Sequence, residues 1–157
     1  MKPFQHGFIV GKFMPLHRGH QFLIDTALAE CAQVTVLLIS QPDESISGVV
    51  RLEWLEQLYP QCNIAHLSTP LPKDKTGYDH WAVWLTAIKD ICPQQFDAVF
   101  SSEPYGERLA TDFDATHRLV DQARTLVPVS GTMIRQNPAQ HFQYLPGIVQ
   151  LYYENQN

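Results

Sequence analysis

Apolar residues along this chain fall into short β-rich runs separated by longer stretches with helical spacing. Phe8-Ile9-Val10 predicts a first strand. From about Arg18 to Ala32, Phe22, Leu23, Ala27, Leu28 and Cys31 recur at helical intervals and predict a helix. Val34 to Ile39 is a near-continuous apolar run, the pattern of a strand covered on both faces. Gln41 to Gly48 is polar and carries Pro42, Asp43, Ser45 and Ser47, which predicts a surface loop. A helix from about Val49 to Leu58 follows and stops before Pro60, and Asn63 to Leu67 reads as a third, weaker strand. The segment Ser68 to Asp79, with two prolines, two lysines and a glycine, predicts an exposed loop that could act as a lid.

Trp81, Trp84, Leu85 and Ile88 mark a helix over His80 to Ile91. Asp97 to Phe100 predicts a strand that ends in the polar Ser101, Ser102 and Glu103, and Thr116 to Asp121 a last short one. From Ser130 onward the chain reads as short helices broken at Pro138 and Pro146. Strands alternating with helices are the mark of βαβ units, so the expected fold is α/β, a doubly wound parallel sheet. The 157 residues are enough for one substantial core and leave no room for a second catalytic domain, so residues 1–157 are expected to form a single domain.

Composition narrows the function. A formal charge of −5 argues against broad binding to nucleic acid or an anionic membrane, since neutralising many phosphates needs a basic surface. Any phosphate site must then be local. Cys31, Cys62 and Cys92 are odd in number and widely spaced, which points to neither a disulfide framework nor a zinc site. With no signal-peptide pattern and no stretch near ~18 apolar residues, the expectation is a soluble cytoplasmic protein. A homo-oligomer is compatible with the chain.

Candidate chemistry concentrates in two segments. The first, Gly11-Lys12-Phe13-Met14-Pro15-Leu16-His17-Arg18-Gly19-His20, joins the first strand to the first helix, where a doubly wound fold places its ligand. Gly11 allows close backbone approach, Pro15 stiffens the turn, and His17 and His20 sit i and i+3 at a helix start, where amides and dipole attract anions. Two imidazoles there could donate hydrogen bonds to oxygens whose charge grows as a phosphorus is attacked. A metal pair would favour i,i+4 spacing with nearby carboxylates, which are missing, and a solvated pair would not need the strand-to-helix setting. Gly7 and Gly11-Lys12 do not make a kinase-type P-loop, because only three residues intervene and Phe13 follows the lysine.

The second segment is Ser130-Gly131-Thr132-Met133-Ile134-Arg135. Ser130 suits an N-cap, Gly131 permits close approach, and the Ser130 and Thr132 hydroxyls with the first helical amides make an oxyanion-binding helix start. Arg135, a turn later, could bind phosphate oxygens with its planar fork. A plain capped surface helix is the alternative when this segment is taken alone.

Together the GKFMPLHRGH and SGTMIR segments, about 110 residues apart, resemble the paired motifs of the HxGH nucleotidyltransferase superfamily. Arg51-Leu52-Glu53-Trp54-Leu55, Ser101-Ser102-Glu103-Pro104-Tyr105-Gly106 and the stretch from Asp121 through Arg124 to Ser130 are similar to the NadR-type nicotinamide-nucleotide adenylyltransferases within it. The resemblance implies a Rossmann-like nucleotidyltransferase fold and an enzyme of NAD biosynthesis that transfers AMP from ATP to nicotinamide mononucleotide, giving NAD and pyrophosphate. It implies that His17, His20 and Arg135 are catalytic, and that Gly11, Lys12, Phe13, Ser130 and Thr132 join them in binding ATP. Mg²⁺ would accompany ATP, held mainly by the substrate phosphates rather than by protein ligands. Trp84, Trp81 and Arg51 are the candidates for the mononucleotide: the indoles offer flat faces to a pyridinium ring, with core packing as the alternative for both, and Trp84 is favoured by its better-matching distance from the Phe96-Asp97 strand start. Arg51 and Arg124 could contact phosphate or be solvated cations. Rival functions are transfer to a pantetheine-phosphate or flavin-phosphate acceptor, cytidylyl transfer from CTP, or a non-catalytic nucleotide sensor.

Overall fold

A computed structural model describes residues 2–72, 78–103, 105–121, 124 and 126–156. The elements run β1 (Phe4–Gly11), α1 (Arg18–Glu30), β2 (Cys31–Ile39), α2 (Gly48–Leu58), β3 (Asn63–Leu67), α3 (Tyr78–Ile91), β4 (Ala98–Ser101), α4 (Tyr105–Asp112), β5 (Thr116–Leu119), α5 (Gly131–Gln136) and α6 (Gly147–Glu154), with a 3-10 turn at Phe142–Tyr144. The five strands form one sheet in the order β3-β2-β1-β4-β5. Every pairing is parallel, from Phe4 opposite Cys31 in the centre to Ser101 opposite Leu119 at one edge. This is the doubly wound Rossmann-like sheet that the alternation predicts, with its topological switch between β1 and β4.

Alternation within the strands builds two cores. Ile9, Val36, Leu38, Ala98 and Phe100 face one side and pack with Leu23, Ile24 and Ala27 of α1, Trp54 and Leu55 of α2, Ile134 of α5 and Val149 of α6. Phe8, Leu37, Ile39 and Val99 face the other and pack with Trp81, Trp84 and Ile88 of α3 and Leu109 and Ala110 of α4. Burial on both faces is why β2 is apolar at every position from Val36 to Ile39.

Three elements depart from expectation. β1 starts at Phe4 rather than Phe8, because polar residues in its first half find partners: the Gln5 and His6 amides donate to the Asp97 carboxylate at 2.9 and 2.8 Å, and His6 Nε2 lies 2.6 Å from Thr35 Oγ1. α1 gives way directly to β2 at Cys31, with no loop between them. α4 has no counterpart among the expected elements: its buried Gly106, Leu109 and Ala110 do fall at i, i+3 and i+4, but a glycine and an alanine give that face little apolar bulk to read in the sequence. The expected Ser68–Asp79 loop is described only up to Pro72, and α3 begins at Tyr78; residues 73–77 lie outside the described part, so a lid there is outside it too. Among the described residues, no helix is long and apolar enough to cross a membrane.

Candidate active site

The C-terminal ends of β1 and β4 open into a cleft of about 380 Å³, within the range of small-ligand sites. Its walls come from the β1–α1 loop and the start of α1, from the tips of β4 and β5, from Trp84 of α3, and from the start of α5. Both sequence segments meet there.

His17 is the N-cap of α1. Its Nδ1 accepts from the Gly19 amide at 3.0 Å, and His20 Nδ1 accepts from the His17 amide at 3.1 Å, a reciprocal cap made by two histidines. The rings stack with centroids 3.8 Å apart. A nitrogen that accepts from a backbone N–H carries no proton, so both imidazoles are neutral with hydrogen on Nε2. Burial pushes the His17 pKa down to about 3, with the Arg124 cation adding to the effect. Burial, then His17 and Arg124, holds His20 well below the usual histidine range. Two neutral N–H donors thus sit in the cleft wall. Gly19 makes the stacking possible, since a Cβ there would lie 2.8 Å from His17 Cε1.

This geometry ties stability to pH with a definite sign. A histidine neutral in the fold but protonated when unfolded stabilises the protein fully above the unfolded value near 6.5; that contribution is lost as pH falls from there toward the folded value, about 3 for His17. His17→Asn keeps an N-cap acceptor but removes the titrating ring. Its unfolding free energy should therefore fall less than the wild type's between pH 6.5 and 5, by up to about 1.4 kcal/mol per pH unit for the one group, read as a smaller drop in thermal midpoint. Parallel pH curves for the two proteins would contradict the neutral-ring assignment.

Opposite the histidines, Ser130 caps α5, its Oγ accepting from the Met133 amide at 3.3 Å. Arg135 Nη1 donates to the Met14 carbonyl and Nη2 to Thr132 Oγ1 at 3.3 Å, so the guanidinium bridges the two loops. Gly131 lies so near Met14 that a Cβ would be 2.7 Å from its carbonyl oxygen. Gly11, Lys12, Phe13, His17, His20, Ser130, Thr132 and Arg135 all line this one cleft.

The residues expected at the acceptor end divide. Trp84 lines the cleft, and its indole N–H donates to the Pro72 carbonyl at 2.8 Å. Trp81, one turn away, does not: it is 8% exposed, its N–H donates to Asp112 Oδ2 at 2.6 Å, and the Arg108 guanidinium covers its ring at 4.5 Å. Arg51 does not line the cleft either and is fully buried. Its Nη1 donates to the Lys12 carbonyl at 2.9 Å and its Nη2 to Glu44 Oε1 at 2.8 Å, which engages the charge inside the protein. Packing accounts for Trp81, and an internal ion pair for Arg51.

Further lining residues carried no spacing signal of their own. Tyr105 reaches across from α4 to donate to the Val10 carbonyl at 3.1 Å, and Glu103 lies 3.9 Å from Arg124 Nη2. Arg124 itself lines the cleft and donates to the Val129 carbonyl at 3.0 Å. Phe13, Asp121 and Arg124, all in the wall, hold positive φ values of 50°, 50° and 55°. Backbone in this sparsely populated region clusters at ligand sites, where surrounding contacts over-determine it. Here the Asp121 carboxylate supplies such contacts by accepting from the Leu126 and Val127 amides. Among the described residues, no group of three histidine, cysteine or carboxylate side chains is placed to hold a metal ion.

No family model matches the chain. It is 30% identical over 164 residues to the trifunctional NAD biosynthesis/regulator protein NadR of Escherichia coli K12, covering 89% of this chain and 38% of that protein. It is 24% identical over 108 residues to a nicotinamide-nucleotide adenylyltransferase of Halobacterium salinarum, covering 66% of this chain and 58% of that one. Among solved structures, a NadR protein in complex with NR superposes with a TM-score of 0.72 at 17% identity, over 92% of this chain and 44% of that one. A bifunctional NMN adenylyltransferase/ADP ribose pyrophosphatase from Francisella tularensis, complexed with AMP and a manganese ion, gives a TM-score of 0.65 at 18% identity, over 90% of this chain and 44% of that one. The chain thus spans well under half the length of the NadR relatives it matches. Sequence and fold agree on a likeness to nucleotidyltransferases of the NMN-adenylyltransferase type.

Proposed function

We propose, from this likeness and from the cleft, that the chain transfers AMP from ATP to nicotinamide mononucleotide, producing NAD and pyrophosphate. The observation that carries the proposal is the meeting of His17, His20 and Arg135 in one cleft at the sheet's switch point. Two neutral imidazole N–H donors, a planar cation and the starts of two helices converge on a space where a triphosphate fits by charge and by hydrogen-bond polarity.

In the proposed reaction an oxygen of the acceptor's phosphate attacks the α-phosphorus of ATP in line. A new P–O bond forms as the bond from that phosphorus to the bridging oxygen of pyrophosphate breaks. The attacking phosphate is already ionised at neutral pH, so no general base is needed, and the enzyme's part is to position and to stabilise charge. His17 and His20 donate from Nε2 to oxygens on which charge develops, while Arg135 and the Ser130-capped helix start hold the departing pyrophosphate. Lys12 and Gly11 line the same tail-binding end, and Trp84 offers its face to the nicotinamide ring. A divalent cation fits this donor set as a companion of ATP: Glu103 and Asp121 are the carboxylates in the wall, too few for a protein cage, so substrate phosphates supply most ligands. When bound, the ion neutralises phosphate charge.

The test is incubation with ATP, Mg²⁺ and a panel of phosphorylated acceptors, reading pyrophosphate release. The proposal expects release with nicotinamide mononucleotide well above that with phosphopantetheine or flavin mononucleotide. ATP binding without release in any case would favour a nucleotide sensor instead.

A further inference from the structure

Glu44 lies outside the cleft, in the loop between β2 and α2, yet its carboxylate is enclosed: the side chain is 7% exposed. Its Oε1 accepts from the Gln41 amide at 2.8 Å and from Arg51 Nη2 at 2.8 Å. Its Oε2 has no aligned hydrogen-bond donor, and is met instead by Lys12 Nζ at 2.9 Å as an ion pair. Burial opposes the charged carboxylate, but the Gln41 amide, Lys12 and Arg51 together outweigh it and hold its pKa below the usual value.

These contacts form one connected brace. Arg51 grips the Lys12 carbonyl with Nη1 and the Glu44 carboxylate with Nη2, and Glu44 in turn reaches the Lys12 ammonium. Backbone and side chain of the same lysine are therefore fixed from the same fully buried arginine. Lys12 lines the cleft and its side chain is 47% exposed, so without the carboxylate its long stem would be free to wander into solvent. Phe13, next in the chain, holds a positive φ of 50°.

We propose that Glu44 is a positioning residue for the phosphate-binding loop, acting through Lys12 by holding its ammonium at the rim of the cleft where the outer phosphates of a nucleoside triphosphate would lie. This rests on the proposed ATP site. It has a sign that distinguishes it from simple electrostatics: removing a negative charge beside an anion site would by charge alone tighten the anion, whereas loss of positioning weakens it.

The experiment measures binding of an ATP analogue with a non-hydrolysable α–β link, and of AMP, to wild type, Glu44→Gln, Lys12→Met and the double variant. Glu44→Gln should weaken the triphosphate about 5- to 10-fold and leave AMP within about twofold, in the range of one charge-assisted contact. In the Lys12→Met background the same change should have a clearly smaller effect, since Glu44 then keeps only its bonds to the Gln41 amide and Arg51 and has no ammonium to aim. If Glu44→Gln tightens the triphosphate, or weakens triphosphate and AMP alike, or acts equally in both backgrounds, the positioning role is wrong. If Glu44→Gln does not fold, Glu44→Asp, which shortens the arm by one methylene, takes its place in the same cycle. Failure of the wild type to bind the triphosphate would instead count against the ATP site itself.

Discussion

His20→Ala is expected to lower turnover of adenylyl transfer about 10²-fold or more while costing only about 1 kcal/mol of stability. Two physical roles meet in this ring and can be separated. Nδ1 accepts from the His17 amide, one half of the reciprocal cap on α1, and losing a cap of this kind destabilises by little. Nε2–H is left for the cleft, where a donor aimed at developing charge matters far more than in water. Because burial and the neighbouring His17 and Arg124 keep the ring neutral, the donor persists over the whole physiological pH range rather than being set by titration. Turnover measured beside the thermal midpoint decides it: near wild-type turnover would remove His20 from the mechanism.

Gly131→Ala carries the second large expectation. A Cβ at this position would lie 2.7 Å from the Met14 carbonyl oxygen and 3.1 Å from Arg135 Nη1. The first neighbour is backbone and cannot swing aside, so the two loops must separate, and the Arg135 bond to Met14 is strained with them. A displacement approaching 1 Å in a positioned site can cost about 10²-fold in rate, while overpacking of this kind costs about 1–3 kcal/mol in stability. We expect kcat/KM for ATP to fall about 10²-fold in a protein that still folds. A variant with unchanged kinetics would show that the loops need not be in close register.

The strand-helix alternation was legible because most elements carry a clean pattern. Asn63–Leu67 matches its expected bounds, and β2 shows its two-sided burial as an unbroken apolar run. β1 and α4 were harder for a shared reason: polar or small residues there are satisfied by distant parts of the chain, such as Asp97 beneath His6 and Ser101 beside Gly106. Local pattern does not contain those partners. The residues of the two loops that meet in the cleft are legible because a glycine, a capping hydroxyl and a histidine pair at a strand-to-helix junction have few other uses. On α3, spacing puts Trp81 and Trp84 on one helix face and the distance to the Phe96-Asp97 strand start favours Trp84, which is the one of the two that lines the cleft. What holds Trp81 aside, Asp112 and Arg108 of α4, is not legible locally. Arg51 misled for the opposite reason. An arginine is so seldom fully buried that contact with a ligand or solvent was the natural expectation, and only the folded loop around Glu44 supplies its internal partner.

Adenylyl transfer as proposed requires His17, His20 and Arg135 to grip one triphosphate together. Titration of ATP with Mg²⁺ into protein labelled with nitrogen-15, following the imidazole signals of both histidines and the guanidinium signal of Arg135, tests this directly. A common saturation curve with one dissociation constant for all three is the predicted result. Histidine signals that move while Arg135 stays still, or that saturate at a different concentration, would contradict it.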